Sequence, residues 1–481
     1  MWSVIAGYAL FIALLHWLRF VSYAGWFALA CYCAIYWPVA ALLLGWLRRR
    51  GIPFVVSAPV VLTVFEFGRA HLFTGFPFFF LGHTQYRYLP VVQMADVTGV
   101  YGVSFLILLV NGAITDFIVG RFSLNRRAVL SFAIAAIAVA IALLYGQARI
   151  HATRLEPGPK VALIQGNVPQ NLKHSPSPEA QLEVLQRHLA SSREAAKQRP
   201  DLIIWPETMF PAPMNLAYEK EFVDRLAASV DEKAKELGLF MLQCRTAMSQ
   251  AAQSMNSYLL VGAETLAGRP QRRFNSAYFL SPAGGIRGRY DKIHLVVFGE
   301  YTPLAGVFPF LRVFRPEVMG PDLSPGRLPP RLFELPVRGD QVRKFGVTIC
   351  YEDAEAGLFR RFVRDGADFM VNITNDGWFR DSTELDEHLA VCTFRAVENR
   401  VPIARCANTG ISALIAPDGR IAQVVVRDGR YREVEGTLIG TLSMTGLKSF
   451  YTSHGDVFAW LCCLGAAALV ISVSFRREVS A

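Results

Sequence analysis

The chain has 481 residues, of which 52% are hydrophobic and only 18% charged, with a positive mean hydropathy and a formal net charge of +10. That balance excludes an ordinary soluble enzyme, and the positive charge lacks the clustered basic and aromatic motifs of a nucleic-acid binder. The apolar excess is concentrated at the two ends.

In chain order, Trp2 to Trp17 and Val21 to Trp46 contain no Asp, Glu, Lys or Arg, and both read as spans. Ile52 to Phe65, continuing past Glu66 toward Phe73, then Val97 to Val119, Ala128 to Tyr145 and Val457 to Phe475 bring the expectation to about six helices. His71 to Asp96 is expected to form a partly inserted hairpin. The opening segment lacks the charged start and small-residue cleavage site of a removable signal peptide. Arg48-Arg49-Arg50, Arg121 with Arg126-Arg127, and Arg476-Arg477 fall on one side if the N-terminus is cytoplasmic, which obeys the positive-inside rule. This predicts a helical bundle over 1–146 with about five spans, an external domain over 147–455, and a last span with a short tail over 456–481. Glu66 and Arg69 lie on one face of a helix with His71 after them. Intramembrane charges are costly, so the pair is either functional or self-neutralising near the outer interface.

Between the spans, Val161–Ile164, Leu202–Ile204, Tyr258–Val261, Phe345–Ile349 and Phe369–Ile373 are short apolar runs of strand length. Gln181–Gln198, Ala217–Leu237, Ala354–Arg364 and Thr383–Asn399 carry apolar residues at helical spacing. The domain is therefore α/β, with strands buried between helical layers. Pro282-Ala-Gly-Gly285 and Pro417-Asp-Gly419 read as hairpin turns.

Three strand-and-turn segments end in chemically useful residues. Glu207 closes Leu202-Ile-Ile-Trp-Pro-Glu-Thr208, Lys292 lies in Gly288-Arg-Tyr-Asp-Lys-Ile-His294, and Cys350 follows Lys344-Phe-Gly-Val-Thr-Ile349. A carboxylate, an ammonium and a thiol are the parts of a covalent acyl-transfer site. A thiol is mostly protonated at neutral pH and needs a base, which Glu207 can be. Lys292 and the backbone N–H of Tyr351 can stabilise the oxyanion formed when the thiolate attacks a carbonyl. Taken singly, each has a plainer reading: a turn acid, a solvated lysine, a small core hydrophobe. Leu295-Val-Val-Phe298 and Leu304–Phe314 supply apolar surface for a mobile lid or an acyl-chain groove, or else for the core. Cys244, Cys350, Cys392 and Cys406 fall in the external domain with spacing that matches no metal site, and Cys350 must stay reduced.

These residues resemble the Glu-Lys-Cys signature of the nitrilase superfamily, and more closely its membrane branch, the apolipoprotein N-acyltransferases. The resemblance is carried along the chain by Phe73-Thr-Gly-Phe-Pro77, Gly99-Val-Tyr-Gly-Val-Ser104, Gln165-Gly-Asn-Val-Pro-Gln170, Trp205-Pro-Glu207, Gly288-Arg-Tyr-Asp-Lys292, Phe298-Gly-Glu-Tyr301, Ile349-Cys-Tyr-Glu-Asp353, Asn372-Ile-Thr-Asn-Asp-Gly-Trp378 and Asn408-Thr-Gly-Ile-Ser412. It implies a polytopic α-helical membrane bundle plus an αββα four-layer nitrilase-like domain on the periplasmic side of a bacterial inner membrane. It also implies acyl transfer from a phospholipid to the α-amino group of a diacylglyceryl lipoprotein, with Cys350 as nucleophile, Glu207 as base, Lys292 at the oxyanion and no metal or organic cofactor. Glu300 resembles the second acid of the site, able to orient Lys292 and Glu207, or is a turn cap. Tyr351 and Glu352 look like site residues; the alternative is that Tyr351 packs and Glu352 pairs with a surface arginine. Asn275 is a further candidate. The alternative activity is a membrane-tethered amidase that hydrolyses a small amide or nitrile. Two departures stand out: Met1 falls where the branch's third span begins, and His174 stands where a tryptophan commonly lines the substrate region. Loss of an even number of spans leaves the orientation unchanged.

Overall fold

The structure, a computed structural model, describes residues 2–268, 270–315, 320–337 and 341–474. Five helices among them are long and apolar enough to cross a membrane: Tyr23–Arg49, Phe54–His71, Val100–Val119, Arg126–Ala152 and Val457–Ser474. Arg476 and Arg477 lie outside the described residues. The expected first span is corrected. Its helix, Trp2–Leu14, has 13 residues, which at about 1.5 Å per residue falls short of a hydrocarbon core of roughly 30 Å. It ends in a 3-10 turn at His16–Phe20 that brings Trp17 edge-on to Phe379 of the external domain, 4.7 Å between ring centres. The Tyr23–Arg49 span has a break at Ile35, where the Ala34 carbonyl finds no amide four residues on, because Pro38 lacks an N–H.

The bundle is fixed by close approach and by one acid. A Cβ on Gly112 would lie 2.5 Å from the Phe54 carbonyl oxygen, so only glycine lets these two helices meet there. Asp116, on the Val100–Val119 helix, accepts the Phe54 and Val55 N–H groups, both at 2.9 Å, and so caps a helix other than its own.

Residues 71–96 form no hairpin, contrary to expectation. They run as short helical turns whose Phe76, Phe78 and Phe80 are buried. Arg69 donates to the carbonyls of Phe76, Phe78 and Phe79 at 3.0, 2.7 and 3.2 Å, and Glu66 accepts from Leu81 N at 2.8 Å. The two intramembrane charges thus spend their hydrogen bonds on this loop rather than on each other, satisfying backbone that has no helix to join.

The external domain has strands β1 (Glu156–Gln165), β2 (Leu202–Ile204), β3 (Tyr258–Ala267), β4 (Arg272–Leu280), β5 (Ile286–Asp291), β6 (Phe333–Val337), β7 (Gln341–Ile349), β8 (Phe369–Thr374), β9 (Ile403–Ala407), β10 (Ala413–Ile415), β11 (Ile421–Val424) and β12 (Gly436–Met444). They make two six-stranded sheets of order β12-β1-β2-β3-β4-β5 and β11-β10-β9-β8-β7-β6. Within them β1-β2-β3 and β7-β8-β9 pair in parallel. Alternation decides the layers. Leu163, Ile204, Leu260 and Phe279 meet Val347, Ile349 and Phe345 of the facing sheet, whereas Ala162, Ile203, Leu259 and Val261 pack beneath the helices Pro178–Ala196 and Glu232–Met255. Helices Ala356–Arg364 and Glu384–Asn399 cover the second sheet, completing an αββα sandwich. Both expected hairpin turns are present, between β4 and β5 and between β10 and β11. The single helix expected over 217–237 is instead two, Lys220–Ala227 and Glu232–Met255, because Asp231 caps the second by accepting Lys233 N at 3.1 Å.

Polar clamps join bundle and domain. Asp96 accepts from Arg400 Nη2 at 2.6 Å, Arg149 Nε at 2.7 Å and Tyr145 Oη at 2.7 Å, and Glu398 accepts Val100 N at 2.9 Å. All of the acids involved are buried, so the junction is held by charges that have no water to turn to.

Candidate active site

Three strand ends converge. Past β2, the Trp205-Pro-Glu207 turn crosses Gly262 of β3, where a Cβ would lie 2.2 Å from Pro206 O and 2.8 Å from Glu207 Cα. Past β5, Lys292 N donates to Asn275 O at 2.8 Å. Past β7, Cys350 opens a 3-10 turn, Cys350–Asp353, with φ +54°, a left-handed conformation that a non-glycine residue holds only under restraint. Asn372 Nδ2 supplies part of that restraint by donating to Cys350 O at 3.1 Å, while its own oxygen accepts from Arg405 Nη1 at 2.7 Å.

Lys292 is 1% exposed, with Nζ 2.8 Å from Glu300 Oε1 and 3.8 Å from Glu207 Oε1. Asn275 Nδ2 bridges the same carboxylates at 2.6 Å to Glu207 and 3.3 Å to Glu300, and Asn375 N donates to Glu207 Oε2 at 3.0 Å. Burial lowers the proton affinity of Lys292, but Glu300, Cys350 and Glu207 together outweigh it and hold the ammonium above the usual lysine range. Burial, and then the charge of Glu207, push the Cys350 thiol well up against the pull of Lys292. The resting residue is therefore a thiol, which would need a base to become a nucleophile.

Tyr351 stacks on Phe78 of the membrane-side loop, 5.3 Å between centres at 7°. Its N–H belongs to the first turn of a short helix, where amides have no intrahelical acceptor. Among the described residues Glu352 pairs with no surface arginine. It is fully buried and accepts from Ile293 N at 2.6 Å, His294 N at 3.0 Å, Ile349 N at 2.8 Å and Tyr290 Oη at 2.9 Å. It braces the Lys292 loop against the Cys350 turn, and burial raises its pKa to about 7.

The thiol lies on a cavity of about 640 Å³ with a two-sided wall: Trp17, Val21, Phe76 and Phe78 from the membrane bundle, Phe210, Phe298 and Phe314 from the external domain. Glu207, Lys292, Glu300, Asn275 and Tyr351 all line it; Glu352 stands behind it. His174 also faces the cavity, tilted against Trp378 at 5.3 Å, and burial followed by Lys173 lowers its pKa to about 4. The apolar loop is not core at its outer side: Leu304 is 65% and Phe310 67% exposed, while Phe298 and Phe314 pack together at 5.4 Å on the cavity side. All eight cysteines are free.

Sequence reasoning did not single out the charge network behind Cys350. His388 Nε2 lies 2.9 Å from Asp353 and Nδ1 3.2 Å from Asp376, and Arg405 reaches Asp353 at 3.2 Å and Asp376 at 2.9 Å, all of them buried. The signal was an arginine inside the apolar strand Ile403-Ala-Arg-Cys-Ala407. Asp376, Glu384 and His388 are close enough to share a cation, but the Arg405 guanidinium already supplies the positive charge there. Burial and Arg405 push His388 down, yet Asp353 and Asp376 prevail and raise its pKa from 6.5 to about 10. A raised folded-state pKa contributes stability that is complete below pH 6.5 and is lost as pH rises toward 10. Denaturation midpoints in detergent should accordingly fall across that window in the wild type, and His388→Gln should lose that fall.

Gly262→Ala should displace Glu207 by forcing the Pro206 carbonyl away from β3, at a cost of about 1–3 kcal/mol. Alkylation of Cys350 by iodoacetamide is the readout, with a rate roughly tenfold below wild type expected once the Glu207 carboxylate is displaced from the thiol.

A four-layer α/β domain with a buried Glu and Lys and a half-buried Cys at neighbouring strand ends, mounted on a membrane-helix bundle, defines a membrane-anchored protein of nitrilase fold. The carbon-nitrogen hydrolase family model matches residues 160–450, and the apolipoprotein N-acyltransferase N-terminal domain matches residues 1–113. The chain is 37% identical to an apolipoprotein N-acyltransferase of Geobacter metallireducens over 94% of its own length and 80% of the relative's, and 30% identical to one of Chlorobaculum tepidum over 82% and 72%. An amidase from Nesterenkonia sp. is structurally similar at 18% identity and a TM-score of 0.41, covering 60% of this chain and 91% of that one. The chain belongs to the apolipoprotein N-acyltransferase family.

Proposed function

We propose that this protein transfers a fatty acyl chain from a membrane phospholipid to the α-amino group of an S-diacylglyceryl-cysteine at the start of a lipoprotein, through a thioester on Cys350. The observation that carries the reading is the position of the thiol on an apolar cavity walled by membrane helices, where a lipid ester can enter and a soluble amide needs no such surface. The names of the relatives supply the acceptor, which the Glu-Lys-Cys cluster alone leaves open.

In the first half-reaction Glu207 takes the Cys350 proton as Sγ bonds to the ester carbonyl carbon, with Lys292 and the Tyr351 N–H beside the developing oxyanion. The ester C–O bond then breaks, and Glu207 returns the proton to the departing lysophospholipid oxygen. In the second, the neutral acceptor amine attacks the thioester carbonyl, Glu207 accepts a proton from nitrogen, and the C–S bond breaks as the thiol is restored. Glu300 and Asn275 position Lys292 and Glu207, and Glu352 positions the turn; neither half-reaction calls on a metal or an organic cofactor.

The same reading places the chain in a bacterial inner membrane with the domain of residues 147–455 on the periplasmic side, between the bundle of 1–146 and the final span of 456–481. It is supported by loop charge: Arg48–Arg50, Arg121, Arg126 and Arg127 lie at the span ends opposite the external domain. Mass spectrometry of a diacylglyceryl lipopeptide incubated with the protein and phospholipid is the test. One added acyl mass on the α-amine is expected. Ammonia released from a small amide, with the lipopeptide unchanged, would instead establish the hydrolytic alternative.

A further inference from the structure

Four lysine and arginine side chains line the cavity, and three of them already face protein carboxylates: Lys292 with Glu300 and Glu207, Arg273 with Glu264, and Arg315 with Asp322. The fourth is Lys173. Its ammonium makes no hydrogen bond or ion pair with any of the described residues, although the charges of Glu207 and Cys350 reach it. Partial loss of water around it draws its pKa down to about 8, as expected of a half-buried cation without an anion at contact distance.

Its backbone, by contrast, is anchored. Lys173 ends the short helix Gln170–Lys173, and Gln181 Nε2 donates to its carbonyl at 2.9 Å and to that of Ser175 at 2.8 Å. His174 beside it rests against Trp378. The ammonium is therefore presented to the cavity by a fixed segment, near the thiol but outside the Glu207–Lys292–Glu300 cluster.

We infer that Lys173 binds the phosphodiester of the acyl donor. The inference rests on the reading of the donor as a phospholipid. In such a lipid the ester and the phosphate share one three-carbon glycerol, so an ester carbonyl at Cys350 leaves the phosphate close by, and the apolar walls offer it nothing. A compact ammonium suits that anion as a point charge. The acceptor carries an amine in place of a phosphate, so the same ammonium disfavours its charged form and admits the neutral amine that can attack.

The test compares acyl-enzyme formation, followed by intact mass in detergent, from a phospholipid and from a diacylglycerol with the same chains. For Lys173→Met the ratio of the two rates should fall by about tenfold or more, the loss typical of one charge-assisted hydrogen bond, and Lys173→Arg should restore most of it. The diacylglycerol arm reports whether the variant is folded. An unaltered ratio in Lys173→Met overturns the inference while leaving the proposed function standing, whereas no acylation of the wild type by phospholipid removes the donor reading itself. Millimolar inorganic phosphate separates the two sources of phosphate. If it changes diacylglycerol acylation in the wild type but not in Lys173→Met, while the phospholipid-to-diacylglycerol ratio is the same in both, the ligand is a free anion and the headgroup assignment fails.

Discussion

Cys350→Ala is expected to abolish acyl transfer, lowering the rate by about four orders of magnitude or more, because the covalent route has no second nucleophile at that point of the cavity. The measurement is incorporation of a labelled acyl chain from phospholipid, released by hydroxylamine from the wild type and absent from the variant. Glu207→Gln keeps the hydrogen bond from Asn375 N but cannot take a proton, and about 10²–10⁴ of the rate should go with it. Adding Glu207→Gln to Cys350→Ala should cost almost nothing further, since the two act in one step. A hydroxylamine-sensitive label on the Cys350→Ala protein would falsify the assignment of the nucleophile.

Arg405→Leu should be the most damaging substitution to stability. It leaves Asp353 and Asp376 fully buried with only His388 to balance them, and it frees the Asn372 oxygen whose partner amide holds the Cys350 carbonyl. Breaking a buried ion network from one side costs about 3–5 kcal/mol. Thermal unfolding in detergent should show a Tm lower by on the order of 10 °C. Arg405→Lys should rescue little, because a single ammonium cannot reach Asp353, Asp376 and Asn372 together as the planar guanidinium does. A wild-type Tm in Arg405→Leu would mean that the network contributes nothing net.

Much of the α/β domain was legible because its strands are buried on both faces. Runs such as Leu202–Ile204 and Phe345–Ile349 cannot alternate with polar residues when a helix layer lies on one side and a second sheet on the other. The membrane helices announced themselves by length and absence of charge, and the reading failed where those signals mislead. Trp2–Trp17 is apolar enough to suggest a span, yet its helix stops at Leu14. Residues 71–96 have no periodicity because their backbone is satisfied by Arg69, Glu66 and Glu387 rather than by neighbours in a regular element. The helix expected over 217–237 gave way to a local cap at Asp231.

Sequence alone determined the layered fold class and most of the spans, and it singled out Glu207, Lys292 and Cys350 as candidates, since each is a local matter of periodicity or of what stands at the end of a strand. Tertiary structure decided what those residues can do together. Only the pairing of β2 with β3 and of β3 with β4 brings Asn275 onto Glu207, that of β4 with β5 sets Lys292 beside Asn275, and that of β7 with β8 sets Asn372 on the Cys350 turn. Only the packing of the membrane loop against the domain sets Phe78 on Tyr351 and gives the thiol an apolar approach. Charges buried far apart in sequence, such as Asp353 with Arg405 or Asp96 with Arg400, leave no periodic trace in the chain, because their pairing depends on which surfaces exclude water once the sheets, helices and bundle have met.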